Sequence, residues 1–306
     1  MDISDKWIPF VIILLLVIGC ALIAIPAWEQ MQNIEEDDSI YADIAAQSRV
    51  TAAAPPICTE TPVPVISPVP AVETPSVTEQ PAADPEDSEG TILIPEETVI
   101  PSVPQDFTAF SPGVPLAEAA LDLVSLLAQN PDFVGWISIP ETEIDYPVVR
   151  SDDTQRYLGT LFSGQKSKLG CLFSLMTSDY EKPSKNIAIY GHHLSGSTAM
   201  FSTLLRYKDE SYWVDHPVIR MDTLYGVRSY RIFAVLNHKV TDWDASTARF
   251  TDDQSFMKFV NRARKAALYE TGVAVSAEDH ILTLITCDRS YGGVRGRLLV
   301  MAVEEK

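Results

Sequence analysis

The sequence predicts a mainly β domain with helical insertions, folded as a closed antiparallel barrel and preceded by one transmembrane helix and a disordered stalk. Three observations support this. Residues 7–28 carry no charge, residues 29–115 are acidic and then rich in proline, and residues 116–306 contain many short apolar runs separated by turn residues. Many short strands with few helices are typical of a closed antiparallel barrel. We therefore expect one folded domain at the carboxyl end of the 306-residue chain.

The first segment, residues 7–28, predicts a membrane anchor. A bilayer is spanned by roughly 20 apolar residues, and Trp7 and Trp28 stand where interfacial aromatic residues belong. A cleaved signal peptide is the alternative, but its apolar part is usually only about 7 to 15 residues long. Lys6, the only flanking cation, favours a short cytoplasmic N-terminus at residues 1–6. The protein is therefore expected to be single-pass in the cell membrane, with its folded domain outside the cell.

The second segment, residues 29–115, predicts an extracytoplasmic linker. It holds 14 of the 21 prolines, and its 16 acidic residues face a single basic one, Arg49. Proline blocks both helical and sheet hydrogen bonding, so such a segment is expected to hold the domain away from the membrane. Most of the net charge of −19 lies here, and the remainder of the chain is nearly neutral. The absence of a basic stripe excludes nucleic acid as an expected partner.

The third segment, residues 116–306, carries the elements of the predicted barrel. Apolar spacing predicts helices over 116–130 and 253–269, and the pair Tyr225–Gly226 predicts the turn of a long hairpin over 216–240. The other predicted strands are 133–139, 144–149, 170–175, 186–193, 281–287 and 297–303. Of the two cysteines in this segment, Cys171 is expected in the core. No Cys–Cys or Cys–His spacing in the chain predicts a disulfide framework or a metal site.

Three residue types capable of acyl transfer stand at predicted strand ends. Cys287 ends the apolar run ILTLITC, His192 follows Gly191 in NIAIYGHH, and Arg295 and Arg297 open the last strand. A thiolate attacks a carbonyl carbon, an imidazole supplies the proton for the leaving amine, and a guanidinium stabilises negative charge. This chemistry requires no metal or organic cofactor, so none is expected.

These residues resemble motifs of the sortases, most closely those of class B. The run TLITC (Thr283–Cys287) is similar to their TLxTC signature, and NIAIYGHH to the segment that carries their histidine. The run RLLVMA, beginning at Arg297, is similar to the stretch that follows the essential arginine in class B, and 130–149 to the opening of the class B domain. The resemblance covers about residues 116–306 and implies the sortase-type β-barrel.

The resemblance also implies a function and its partners. Sortases are cysteine transpeptidases that cleave the C-terminal sorting signal of a secreted protein through a thioacyl-enzyme intermediate. They then transfer the protein to an amine, usually of a peptidoglycan precursor. Cys287 would be the nucleophile, His192 the acid and base, and Arg297 the group that holds the substrate carbonyl or oxyanion. His193 and Arg295 are the alternatives to the last two, and the family match favours His192 and Arg297.

Other residues are candidates for substrate binding from their places near these motifs: Thr286, Asp153, Asp288, Tyr190 and Ser290. Asp153 stands where class B members often have Asn, which would replace a hydrogen-bond donor by an acceptor. The remaining histidines lie outside the motif segments, and His238 among them is expected at a surface or a strand end.

Three alternative functions differ from the leading one. A pilin-polymerising sortase would use a pilin lysine as acceptor, but such enzymes usually have an N-terminal lid with a DP-aromatic motif and a second membrane helix. We find neither pattern before or after the barrel. A catalytically inactive surface binding module on the same scaffold is disfavoured by the intact Cys287, His192 and Arg297, and a thiol hydrolase of another fold by the order of the motifs.

Overall fold

The computed structural model describes residue 25, residues 28–49 and residues 121–306. All of the predicted span 7–28 except residues 25 and 28, and most of the predicted linker, lie outside these residues. Among the helices that the structure describes, none combines the length and the apolar character that crossing a bilayer demands.

Eight strands close into a barrel in the order β1-β2-β3-β4-β7-β8-β6-β5, which confirms the predicted closed barrel. The strands are β1 (Phe133–Ser138), β2 (Asp145–Arg150), β3 (Leu172–Ser174), β4 (Asn186–Gly191), β5 (Val218–Thr223), β6 (Gly226–Lys239), β7 (Ile281–Cys287) and β8 (Gly296–Glu304). Six pairings are antiparallel, but β2–β3 and β4–β7 are parallel. The purely antiparallel expectation is wrong for these two pairs, because long crossovers rather than tight turns connect their strands.

Four α-helices accompany the barrel in the described residues. They are α1 (residues 28–48), α2 (Leu123–Gln129), α3 (Glu210–Asp215) and α4 (Asp253–Ala266), and Thr203–Lys208 and Gly293–Arg295 form 3₁₀ turns. Helix α4 starts with a capping box between Asp252 and Ser255. Its buried side chains include Phe256 and Val260, as their four-residue spacing predicted.

The alternation of side chains along β7 and β8 divides the core into two clusters. Leu282 and Leu284 belong to the cluster inside the barrel, whereas Ile281 and Ile285 pack with α4 on the outer face of the sheet. Since successive strand residues point to opposite faces, Cys287 falls in the outward series. The same alternation in β8 places Arg297 outward, in line with Leu299 and Met301.

Helix α1 packs against the barrel, which differs from the expectation of a linker that begins at residue 29. Ile34, Tyr41 and Ala45 are buried in the same core cluster as the barrel strands. The ring of Tyr41 meets that of Tyr146 edge-on, with 5.5 Å between centroids. The many acidic residues of this stretch hid an amphipathic pattern whose apolar residues recur at helical spacing. The folded domain therefore includes residues that precede the proline-rich segment.

The ends of the undescribed segment 50–120 lie side by side. Arg49 and Leu121 form an antiparallel bridge, and the amide of Asp122 donates to the carbonyl oxygen of Ser48 at 2.6 Å. The chain therefore leaves and rejoins the domain at adjacent points. Because Arg49 and Leu121 are paired, the number of residues between them does not change the distance between the barrel and the residues that precede α1.

Candidate active site

The three predicted catalytic residues meet at adjacent strand ends. In the sheet register, Gly191 lies opposite Thr286 and Cys287 lies opposite Arg297. His192 is the next residue after Gly191 and therefore reaches the level of Cys287 on the neighbouring strand. Neighbouring strands are about 4.8 Å apart, so the register places Cys287 between His192 and Arg297 at the ends of three neighbouring strands.

Cys287 is a half-buried free thiol at the last position of β7. The other cysteine of the domain, Cys171, is buried, as expected, and burial raises the pKa of its thiol to about 12. A thiol with that pKa stays protonated at neutral pH and is a poor nucleophile. The structure therefore leaves Cys287 as the accessible thiol of the described residues.

Thr286, a candidate for substrate binding, does not lie on the face of the sheet that carries Cys287. Its side chain is buried, and its hydroxyl donates to the carbonyl oxygen of Gly191 at 3.0 Å. Because it precedes Cys287 in a strand, it points to the opposite face of the sheet. Thr286 therefore fastens β7 to β4 beneath the site, and the expected substrate contact is not supported.

His192 is oriented by a backbone carbonyl. Its Nε2 lies 3.0 Å from the carbonyl oxygen of Leu158. A carbonyl oxygen only accepts, so Nε2 carries the hydrogen and Nδ1 is the nitrogen left to exchange a proton in the cleft. A side chain at Gly191 would come within 2.4 Å of Leu172 and 2.6 Å of Phe201, which explains the glycine before His192.

The loop before β3 also approaches the imidazole ring. Gly170 has φ +70°, and a Cβ there would lie 2.6 Å from the carbonyl oxygen of Tyr157 and 3.1 Å from Cδ2 of His192. The amide of Cys171 donates to that same Tyr157 oxygen at 2.8 Å. We name residues 157–171 the histidine loop, because its two ends lie against His192 through Leu158 and Gly170.

Arg297, rather than Arg295, is the arginine beside Cys287. Its guanidinium donates from Nη1 to the carbonyl oxygens of Gly296 at 2.8 Å and Val294 at 3.1 Å, and its remaining donors are available to the cleft. Arg295 ends the 3₁₀ turn before β8 and is exposed. The expectation that Arg295 opens the last strand together with Arg297 is therefore wrong, because β8 begins only at Gly296.

Asp288 and Ser290 hold the turn that follows Cys287. Asp288 is fully buried and pairs with the ammonium group of Lys208, and it accepts hydrogen bonds from the amide (3.1 Å) and hydroxyl (2.6 Å) of Ser290. Burial raises the pKa of Asp288, but Lys208 and Ser290 outweigh it and leave that pKa below its usual value. Lys208 and Ser290 thus occupy the Asp288 carboxylate, so the predicted substrate contact of Asp288 is not supported.

Asp153 and Tyr190 differ in how close they come to the site. Oδ1 of Asp153 accepts from the amides of Gln155 (2.9 Å) and Arg156 (3.3 Å), so this exposed carboxylate caps its own turn. Tyr190 is half-buried and stacks on Phe173 at 5.3 Å. Burial raises the pKa of Tyr190, while a hydrogen bond from Ser246 and the charge of Arg297 lower it. Tyr190 lies on β4 two residues before His192, whereas Asp153 lies in an exposed turn, and substrate contacts of either stay predictions.

His238 is a residue of the site that the sequence motifs did not indicate. It lies opposite Arg297 in the β6–β8 register, its side chain is only 5% exposed, and its ring meets that of Trp243 edge-on at 5.0 Å. Burial lowers the pKa of His238, with the charge of Asp242 opposing and that of Arg297 reinforcing the shift. The expected strand-end position is confirmed, since His238 is the last residue but one of β6, but its side chain is buried rather than at the surface. The alternation from Ala234 and Leu236, both buried, could have placed it on the outer face.

No group of three or more His, Cys, Asp or Glu side chains in the part of the chain that the structure describes is arranged to hold a metal ion. The arrangement supports chemistry carried by a thiol, an imidazole and a guanidinium. That combination can attack a carbonyl carbon, protonate a leaving amine and stabilise an oxyanion.

Comparison with known proteins identifies relatives of this domain. Residues 137–305 match the sortase domain family. Sortase B of Listeria monocytogenes is 33% identical over 181 residues, which are 58% of this chain and 72% of the relative. Sortase B of Staphylococcus aureus is 29% identical over 178 residues, with the same two shares.

Solved structures agree with the sequence relatives. The substrate complex of S. aureus sortase B superposes with a TM-score of 0.57 and 28% identity, covering 60% of this chain and 85% of that one. Clostridium perfringens sortase B superposes with a TM-score of 0.56 and 28% identity, covering 60% of this chain and 99% of that one. The closed barrel is thus shared with class B sortases.

Proposed function

This chain belongs to the sortase family, and from that premise we propose that it is a class B-type transpeptidase in which Cys287 is the nucleophile, His192 the acid and base, and Arg297 the oxyanion-binding group. The family makes it a cysteine transpeptidase in general terms. The observation that carries the residue assignment is the register that lines up these three side chains on one sheet face.

In the first half-reaction the Cys287 thiolate attacks the carbonyl carbon of the scissile peptide bond. The bond electrons move onto the carbonyl oxygen, and the free guanidinium donors of Arg297 stabilise that oxyanion. When the oxyanion collapses, the C–N bond breaks and Nδ1 of His192 gives its proton to the leaving amine. The product is a thioester between Cys287 and the new carboxyl end of the substrate.

In the second half-reaction an amine attacks the thioester carbon. Nδ1 of His192 takes the proton of that amine, and the Cys287 sulfur leaves as the thiolate, which restores the starting state. Throughout, the Leu158 carbonyl keeps Nε2 as a donor, so a single nitrogen of the ring handles both proton transfers. The ion pair between Asp288 and Lys208 keeps the turn after Cys287 in place.

The proposed substrate is a secreted protein with a C-terminal sorting signal, and the proposed acceptor is the amine of a peptidoglycan precursor or a comparable amine. Two solved relatives support this choice, one a complex of S. aureus sortase B with substrate and the other a complex of sortase B with triglycine. Triglycine presents a free amine on a small, unbranched chain and is therefore a suitable probe.

The proposed location is the cell membrane, with a single span at residues 7–28, a cytoplasmic N-terminus and an extracellular barrel. The uncharged composition of that segment supports it. In this arrangement α1, which begins at residue 28, joins the anchor to the domain.

The decisive experiment presents the detergent-solubilised full chain with quenched sorting-signal peptides and triglycine, beside the variant Cys287→Ala. We expect peptide cleavage together with a product whose mass equals the acyl fragment plus triglycine, and neither with Cys287→Ala. Cleavage without triglycine incorporation would indicate a hydrolase instead. A folded chain whose Cys287 resists thiol reagents would support the inactive binding module.

A further inference from the structure

Tyr41 of α1 connects two points of the histidine loop. The tyrosine is 1% exposed, its hydroxyl donates to the carbonyl oxygen of Gly170 at 2.7 Å, and it accepts from the amide of Phe162 at 3.1 Å. These contacts join residues that are 129 and 121 positions apart in the chain. Since burial raises the pKa of Tyr41 well above its usual value, the hydroxyl keeps its proton and remains both donor and acceptor.

The same loop approaches the His192 ring at two points. Leu158 accepts from Nε2, and Gly170, whose carbonyl binds Tyr41, lies against Cδ2. The rest of the loop is supported by turn hydrogen bonds such as that from the amide of Leu161 to Gln165, at 2.8 Å. On one side, Asn130 at the end of α2 donates to the carbonyl oxygen of Phe162 at 2.8 Å. On the other side, α1 supplies the two Tyr41 contacts, and Asp37 accepts a hydrogen bond from the hydroxyl of Ser167.

We propose that Tyr41 is a positioning residue for His192, so that α1 completes the active site by holding the histidine loop against the imidazole. This rests on the proposed role of His192. The hydroxyl of Tyr41 touches neither the substrate nor the reacting atoms. It acts by fixing Gly170 and Phe162, and through them the position of the Leu158 carbonyl that keeps Nε2 as the donor.

A second consequence concerns the limits of the functional domain. A fragment that begins after the proline-rich segment, such as residues 116–306, lacks Tyr41 and leaves the outer side of the histidine loop uncovered. Such a fragment is expected to bind substrate through Arg297 and the β7–β8 turn but to turn it over slowly. Proton transfer is sensitive to small displacements, since a misplacement of about 1 Å can cost roughly 100-fold in rate.

The test compares Tyr41→Phe with Tyr180→Phe in the full chain. Both changes remove one buried tyrosine hydroxyl, but that of Tyr180 donates to Ser174 at 2.9 Å and does not contact the histidine loop. We expect Tyr41→Phe to lower kcat about tenfold with KM within twofold, and Tyr180→Phe to change neither by more than about twofold. Equal kcat losses in the two variants, or a loss confined to KM, would overturn the proposal.

A spectroscopic measurement keeps this test independent of activity. In the ¹⁵N-labelled Cys287→Ala chain, the Nε2 proton of His192 bound to Leu158 is expected as a slowly exchanging imidazole signal, and Tyr41→Phe is expected to abolish its protection. Retained protection in Tyr41→Phe would overturn the positioning role. If protection behaves as expected but the wild type shows no transpeptidation, the proposed function fails while the structural coupling stands.

Hydrogen exchange covers the case in which Tyr41→Phe does not fold. In the folded Cys287→Ala chain, hydrogen exchange at Nε2 of His192 and at the Phe162 amide is expected to report the same opening free energy, because both depend on the histidine loop. If Nε2 of His192 instead shows the opening free energy of the Ile189 amide, in the middle of β4, the ring is held by the barrel alone and the proposal is overturned.

Discussion

The two sides of the active site are built in different ways. On the side of Arg297, the guanidinium, the thiol and His238 are neighbours in strand register, and the arginine is only ten residues from Cys287. On the side of His192, the ring depends on Leu158, 34 residues earlier, and the loop that carries Leu158 depends on Tyr41. The first side follows from strand pairing, and the second requires the packing of distant segments.

This difference teaches where the site is robust. Strand register is stabilised by many hydrogen bonds at once, so a single substitution rarely shifts it. A loop held by a few long-range contacts can move when one of them is lost. We therefore expect changes on the His192 side to act on the rate of turnover even at a distance, and changes on the Arg297 side to act locally.

The largest effect is expected from His192→Ala. Loss of the group that protonates the leaving amine should lower kcat/KM by at least about 1,000-fold, because general acid–base catalysis contributes 10²–10⁴-fold. The neighbouring substitution His193→Ala is the matched control and should stay within about threefold of wild type. Peptide cleavage kinetics measure both, and thermal unfolding checks the fold. The reverse ranking would assign the catalytic imidazole to His193.

The next effect is expected from Arg297→Lys. Lysine keeps the positive charge but lacks the planar guanidinium donors. In the wild type, Nη1 of Arg297 orients the guanidinium by donating to the carbonyl oxygens of Gly296 and Val294. We expect kcat/KM to fall by about 100-fold, at the lower end of the range found for loss of an oxyanion-binding donor. Arg295→Lys should have no measurable effect, because that exposed side chain precedes the strand. Equal losses in the two variants would contradict the assignment made from the register.

A smaller effect, on stability, is expected from Lys208→Met. The ordinary pKa of an aspartate is about 3.9, and that of Asp288 in the folded protein lies lower. The ionised carboxylate therefore stabilises the wild-type fold above that pH, and this contribution is lost as the pH falls through the folded pKa. Removal of Lys208 leaves Asp288 buried without its cation and is expected to destabilise the fold by about 2 kcal/mol at pH 7, after allowance for the partial exposure of the lysine.

The pH dependence of Lys208→Met should also change sign. Without the ammonium group, burial dominates and raises the pKa of Asp288, so the folded state binds the proton more tightly than the unfolded one. Stability then falls as the pH rises from about 4 towards 7, relative to wild type. Urea unfolding at several pH values measures this. The double variant Lys208→Met/Asp288→Asn is the control and should remove the dependence; the same slope in both variants would exclude Asp288 as its source.

The smallest effect is expected from removal of residues 52–118 and their replacement by a short Gly-Ser connection. Residues 48, 49, 121 and 122 are already joined by backbone hydrogen bonding, so the deletion should leave the unfolding temperature and kcat unchanged within error. A stalk would behave otherwise. Proteolytic cleavage of a stalk frees the barrel, whereas cleavage within this segment should leave α1 and the barrel associated. Release of the barrel by such a cut would contradict the docking of α1.

Much of the fold and of the site could be predicted from sequence. Strand alternation placed Cys287 and Arg297 at the ends of apolar runs, and the closed barrel and the sortase family are confirmed. The position of Thr286 next to Cys287 favours a substrate contact, but strand alternation sets its side chain inward, where it is buried. His238 belongs to none of the motif segments, so the sequence did not indicate its place opposite Arg297.

By itself, the sequence determined the elements and the faces they present, because a period of two in strands and 3.6 in helices is a local property of the chain. It could not determine that α1 docks on the barrel, that Lys208 meets Asp288, or that Leu158 and Tyr41 together govern His192. Such contacts join residues far apart in the chain, and many amphipathic surfaces could have satisfied each partner. Only the tertiary structure decided among them, since the choice depends on shape and on the pairing of buried polar groups.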